Sequence, residues 1–140
     1  MRNIELAVDY LYRAKRCLKE ARMALEDGDA PGVVRRSQEA LELAVKAVLR
    51  ALTIEYPRVH DVSDVLQECR SRFPAWFRDA IDELATISSE LALARGPSMY
   101  GDEERGIPAS ELFSRVYAEE ALRKAEKVLE LCSKLAENLT

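Results

Sequence analysis

The chain has 140 residues, 48% hydrophobic and 33% charged, with a net charge of −4. It is long enough for one buried core and too apolar for a disordered chain. The acidic balance speaks against indiscriminate phosphate binding, and the scarcity of aromatics (6%) beside abundant Ala and Leu favours helix over sheet.

Residues Asn3 to about Asp27 read as a long amphipathic helix. Ile4, Leu11, Leu18 and Leu25 repeat every seven residues, with Ala7, Ala14 and Ala21 beside them. Small residues on one row let a partner helix approach closely. Gly28-Asp29-Ala30-Pro31-Gly32 then reverses the chain. A second helix is expected from about Pro31 to Glu55. Val34, Leu41 and Val48 repeat at seven, beside Ser37, Ala44 and Ala51, and Val45, Leu49 and Leu52 widen the apolar surface. Its few charges after Ala40 make it the expected central helix of an antiparallel hairpin with the first.

Tyr56-Pro57 is expected to end that helix, because a residue before proline avoids helical geometry. Ser63, or failing that Asp61, is the expected cap of a short third helix through about Ser71. Pro74 separates it from a fourth, about Ala75 to Ala94, with a stripe of Phe77, Ala80, Ile81, Leu84, Ile87, Ser88 and Leu91. That stripe continues onto Arg95, and Gly96-Pro97 is expected to terminate the helix. Residues 96–110 then read as a loop with several breakers and a mixed-charge run from Tyr100 to Arg105. The last helix is expected from about Ser110 to Leu139, with Ala118, Leu122, Ala125, Leu129, Cys132, Ala136 and Leu139 as its stripe. Short connections imply an all-α, up-and-down bundle of about five helices in a single domain spanning residues 1–140.

Little here points to metal or cofactor chemistry. His60 is the only histidine, and no Glu-x-x-His pair, P-loop, GxGxxG, zinc pattern or nucleophile elbow is present, so no metal and no cofactor are expected. Cys17, Cys69 and Cys132 are widely spaced without a CxxC pair and read as small core residues of a cytoplasmic protein. The first residues carry charges where a secretory leader needs an apolar run, and no stretch is apolar enough for a membrane span.

Three segments together carry a resemblance that covers essentially the whole chain. They are the run Arg36-Ser37-Gln38-Glu39-Ala40-Leu41-Glu42-Leu43-Ala44-Val45-Lys46-Ala47, the His60-Asp61-Val62 turn, and Ser98-Met99-Tyr100-Gly101-Asp102 before an alanine-rich last helix. In order and spacing they resemble the HEPN family of small helical domains. The resemblance implies a four- or five-helix bundle, frequent homodimers, and a minimal nucleotidyltransferase partner in toxin–antitoxin pairs. It also implies ribonuclease activity in members that carry Arg, four to six residues, then His. That signature is absent: no arginine stands at Thr53, Ile54 or Glu55 ahead of His60, and the residue four intervening positions after Arg95 is Tyr100. A tyrosine hydroxyl, with a pKa of about 10, is a poor general base at neutral pH.

The candidate nucleotide- or RNA-binding residues are therefore Arg95, Tyr100, Asp102 and His60. Arginine offers a forked donor set for phosphate and tyrosine a stacking face for a base. Arg95, Tyr100 and His60 are also the catalytic candidates of a degenerate Arg-x4-Tyr ribonuclease, the alternative reading. The plainer accounts stand beside these. His60 would be a turn residue bonding backbone or capping the third helix with Asp61. Arg95 would be paired to Asp102 or Glu103 within the loop. Arg13, Lys15, Arg16, Lys19 and Arg22 would attract RNA or form an ordinary solvated face. A purely structural interaction module is the third reading of the whole.

Overall fold

The computed structural model describes residues 2–139, and among them every regular element is helical. Seven α-helices follow in order: α1 Arg2–Glu26, α2 Ala30–Ala51, α3 Ser63–Glu68, α4 Ala75–Arg78, α5 Ile81–Tyr100, α6 Ala109–Leu112 and α7 Arg115–Leu139. A 3₁₀ turn, Arg70–Arg72, lies between α3 and α4. α1, α2, α5 and α7 are the four long helices of the bundle.

The alanine rows explain why α2 is central. Ala7, Ala14 and Ala21 of α1 are buried, while the larger Ile4, Leu11 and Leu25 beside them are only half-buried. On α2, Val34, Leu41 and Val48 are fully enclosed together with Ala40, Ala44 and Ala47. With small side chains on these rows, α1, α5 and α7 all close on the one helix. Phe73 and Phe77 stack with ring centroids 4.9 Å apart, and Trp76 meets Phe77 edge-on at 5.8 Å. These aromatics plug one end of the core beside Leu66, Ile81 and Leu84.

Helix boundaries differ from the sequence expectation in several places: α3 closes at Glu68 ahead of the 3₁₀ turn, the expected helix from Ala75 to Ala94 divides after Arg78 into α4 and α5, and four further differences have a local cause. α2 stops at Ala51, not Glu55. Thr53 takes φ 59°, its N–H donates to the Arg50 carbonyl at 3.0 Å, and the Ile54 N–H donates to the Leu49 carbonyl at 2.8 Å. This is a Schellman closure that tucks Ile54 into the core before Tyr56-Pro57 is reached. A β-branched residue is strained at that φ, so Thr53→Gly is expected to raise stability by about 0.5–1 kcal/mol in urea unfolding. No gain would mean that the threonine methyl is worth as much as the relieved strain.

Asp61, not Ser63, supplies the side chain at the start of α3: its Oδ1 accepts the Ser63 N–H at 3.0 Å, and Ser63 is the first helical residue. Gly96-Pro97 does not end α5. The helix runs on to Tyr100 with Pro97 inside it. Proline removes the donor to the Leu93 carbonyl, but Leu93 is 80% exposed, and on the solvent side of a helix a lost bond costs least. Ser98 is buried, and its hydroxyl donates to the Arg95 carbonyl at 2.6 Å, which holds the last turn together.

The expected 96–110 loop is thereby reduced to a tight hairpin after α5. Asp102 and Ile107 exchange both backbone hydrogen bonds, at 2.8 and 2.9 Å. Gly101 enters it at φ 69°, where an added Cβ would lie 2.3 Å from the Ile107 carbonyl oxygen, so only glycine fits. Finally, the chain is extended at Phe113, so the expected last helix divides into α6 and α7, with the Ser114 hydroxyl accepting the Tyr117 N–H at 3.1 Å as the N-terminal cap of α7.

Candidate functional site

Along its outer edge α2 carries a row of polar residues, Gln38, Glu39, Glu42 and Lys46, spaced to share one face. Gln38 is only 1% exposed, so its amide must be satisfied inside the protein. Its Oε1 accepts from Arg95 Nη1 at 2.6 Å and its Nε2 donates to Glu42 Oε1 at 2.9 Å. The charges on either side fix that orientation of the amide: a guanidinium has only donors and a carboxylate only acceptors. Arg95 is also 3.8 Å from Glu39, which pairs in turn with Arg35 and Arg36.

One turn along α2, Glu42 gathers three donors. Lys46 Nζ lies 2.8 Å from Oε2, Gln38 Nε2 reaches Oε1, and His60 Nδ1 stands 2.9 Å from Oε1. Burial pushes the Glu42 carboxyl upward, but the hydrogen bonds from Lys46, Gln38 and His60 outweigh it and hold the group below the usual carboxylate range. Lys46 also donates to the Val59 carbonyl at 2.8 Å, which ties the 56–62 turn to α2. Next to this pairing, Asp61 accepts from Ser88 and Ser89 of α5 at 3.1 and 2.9 Å.

The sequence candidates thus fall into two groups. Arg95 and His60 are joined through Gln38 and Glu42 into one polar row along the α2–α5 contact. Tyr100 and Asp102 lie elsewhere. Five residues of helix turn Tyr100 about 140° from Arg95, onto the exposed face that Leu93 also occupies. Tyr100 is 65% exposed. Asp102 is engaged by its own hairpin, with Oδ1 accepting the Arg105 N–H at 3.2 Å and Oδ2 3.7 Å from Arg105 Nε. Neither Asp102 nor Glu103 pairs with Arg95, as the loop-stabilisation account expected; Gln38 and Glu39 take that place. His60 bonds a carboxylate rather than backbone. Gln38 and Glu42 are not among the candidates that the sequence singles out, although both stand in the Arg36–Ala47 run and their i, i+4 spacing puts them on one face of a helix with few charges after Ala40.

Two further surfaces frame the row. Arg13, Arg16 and Arg22 pair with Asp9, Glu20 and Glu126, so three of the five cations in the basic run of α1 belong to surface ion pairs. Beyond the hairpin, a cleft of about 500 Å³ has Pro97, Leu112 and Phe113 as its floor and Asp102, Glu103 and Glu104 on its rim. No helix among the described residues is long and apolar enough to cross a membrane.

Comparison with known proteins agrees with this architecture. The chain is 30% identical over 135 residues to a candidate toxin of Methanocaldococcus jannaschii, MJ1304, covering 92% of this chain and 87% of that protein. The crystal structure of TT1696 from Thermus thermophilus superposes with a TM-score of 0.75 at 28% identity, covering 91% of this chain and 96% of that one. The family model of the HEPN domain matches residues 7–135, and with the helical order and the polar row now described, the chain belongs to the HEPN domain family.

Proposed function

We propose that this chain is the toxin-side component of a cytoplasmic two-protein system. It forms a homodimer, binds a minimal nucleotidyltransferase partner, and holds nucleotide or RNA against the polar row that runs from Arg95 to His60. The observation that carries the partner reading is the face beyond Arg95. Leu93, Pro97 and Tyr100 form an exposed row at i, i+4 and i+7 on α5, and Pro97 meets Leu112 in the acid-rimmed cleft. So many exposed apolar residues together are costly unless another protein covers them. The apolar row suits a second copy of the chain, and the acidic rim suits a partner with a basic border. The relationship to a protein named for toxin activity supports the same context.

The ligand reading rests on Arg95. Its guanidinium is held in place by Gln38 and Glu39 while its side chain keeps 21% of its surface open to solvent. A guanidinium fixed before the ligand arrives loses little freedom on binding phosphate. The partner reading is tested by co-expression with candidate nucleotidyltransferases followed by co-purification. Tyr100→Asp places a charge in the row and is expected to weaken self-association or partner capture at least about tenfold, the loss typical of an interface anchor. Its thermal midpoint should stay unchanged, since Tyr100 lies outside the core. Unchanged sedimentation and unchanged capture in Tyr100→Asp would remove this face from the proposal.

A further inference from the structure

Phe113, at the break between α6 and α7, lines two hollows. One is the acid-rimmed cleft of about 500 Å³, where Phe113 meets Pro97 and Leu112. The other, of about 230 Å³, lies between Leu25, Pro31, Phe113 and Arg115. Phe113 itself is half-buried against the core, so the ring that the hollows share is anchored. Its neighbour Leu112 stays 38% exposed. One fixed ring shared by two hollows gives adjacent apolar seats.

The wall of the larger cleft is set before any ligand arrives. Asp102 and Ile107 exchange backbone hydrogen bonds of 2.8 and 2.9 Å, and Asp102 Oδ1 accepts the Arg105 N–H at 3.2 Å. A surface fixed in advance loses little freedom on binding. The rim keeps a net charge. Arg105 lies 3.7 Å from Asp102 and offsets it. Glu103 and Glu104 are exposed, and among the described residues neither has an ion-pair partner.

Apolar seats beside uncompensated carboxylates select among occupants. A nucleic acid brings phosphates, which this rim repels. A second copy of the chain brings a net charge of −4 toward it. A small ligand in one hollow leaves the other empty. A peptide segment with apolar side chains and a basic end meets every feature at once.

We propose that the two hollows around Phe113 seat an extended segment of the partner protein, with one bulky apolar side chain in each and lysine or arginine over Glu103 and Glu104. This occupant presupposes the protein partner proposed for the chain and names what that partner presents. The apolar side chains supply most of the affinity, because they leave water for a preformed seat. The cations fix the direction of the segment, basic end at the hairpin and far end toward Leu25, and speed its encounter with the rim.

The test titrates fluorescein-labelled synthetic peptides with the purified full chain and reads their anisotropy. The first peptide carries a pair of lysines followed by two leucines; the second has glutamates for the lysines; the third has alanines for the leucines. The first should bind at least about tenfold tighter than either of the others. Joint Glu103→Lys and Glu104→Lys replacement should reverse the preference between the lysine and glutamate peptides. Leu112→Asp should weaken the first peptide about tenfold. Thermal midpoints should not move, because all three side chains are exposed. Equal binding of the three peptides, binding of none, or a lysine preference that survives the charge reversal overturns the proposal. So does a charge-reversed chain that sediments as a smaller species than the wild type, which makes a second copy the occupant. Capture of a candidate nucleotidyltransferase is measured alongside. Capture that is equal before and after the charge reversal overturns the proposed seat and leaves the partner reading standing. Selective binding of the first peptide without any such capture supports the seat and overturns the nucleotidyltransferase as its source.

Discussion

Phe77→Ala is expected to lower the unfolding free energy by about 3–5 kcal/mol, the usual cost of emptying an aromatic site in a core. Phe77 has no exposed surface and is held by Phe73 on its face and Trp76 at its edge. It sits in α4, where four helical residues between the Pro74 turn and α5 are too few to collapse into the void. Against the roughly 5–15 kcal/mol that holds a typical domain together, the loss moves the urea midpoint by about a fifth of its value or more. Phe77→Leu fills most of the volume and should recover over half of the loss. A cost below about 1 kcal/mol for Phe77→Ala would mean that Trp76 and Phe73 repack into the space, and that α4 is less rigidly placed than its contacts indicate.

Asp61→Ala should cost about 2–3 kcal/mol at neutral pH, because it strips a charged acceptor from three donors at once. Asp61 joins α3 to α5: it accepts the Ser63 N–H, the Ser88 hydroxyl and the Ser89 hydroxyl. Ser63 and Ser88 are buried, so both lose a partner that water cannot replace. The sign of the pH dependence follows from the carboxyl. Burial raises its pKa, but the Ser63 backbone bond and the serine hydroxyls lower it further, and the net result lies below the ordinary value. A group depressed in the folded state adds stability above its unfolded pKa of about 3.9 and loses it as pH falls through the folded value. The gap between wild type and Asp61→Ala should therefore be constant from pH 7 to about pH 5 and close in stronger acid. Glu42 shares this direction, so the polar row and the 56–62 turn should loosen together under acid. An Asp61→Ala deficit that grows in acid would contradict the hydrogen-bond account.

How much is legible in the chain alone depends on the range of the forces concerned. Buried rows such as Ala7, Ala14 and Ala21, or Phe77, Ile81 and Leu84, repeat at helical spacing, so the chain itself shows which face turns inward. Stop signals are less reliable. Pro97 reads as the end of α5, yet its missing donor faces solvent while buried Ser98 keeps the next turn attached. Thr53 carries no obvious turn signal, yet it closes α2 because Ile54 gains a place in the core by that left-handed step. In both cases a tertiary contact outweighs a local preference.

The site divides along the same line. By itself the sequence determined an all-helical bundle, the HEPN family resemblance, the lack of an arginine before His60, and Arg95 as the residue where a buried stripe turns polar. Those are properties of spacing along one strand of chain. Only the tertiary structure decided that Arg95 and His60 share a polar row while Tyr100 looks outward, because the link runs through Gln38 and Glu42 on a different helix. Gln38 is 57 residues from Arg95, and Glu42 is 18 from His60. No local pattern encodes a hydrogen bond across such a separation; it exists because α2, packed against α1, α5 and α7, leaves its one polar edge beside α5.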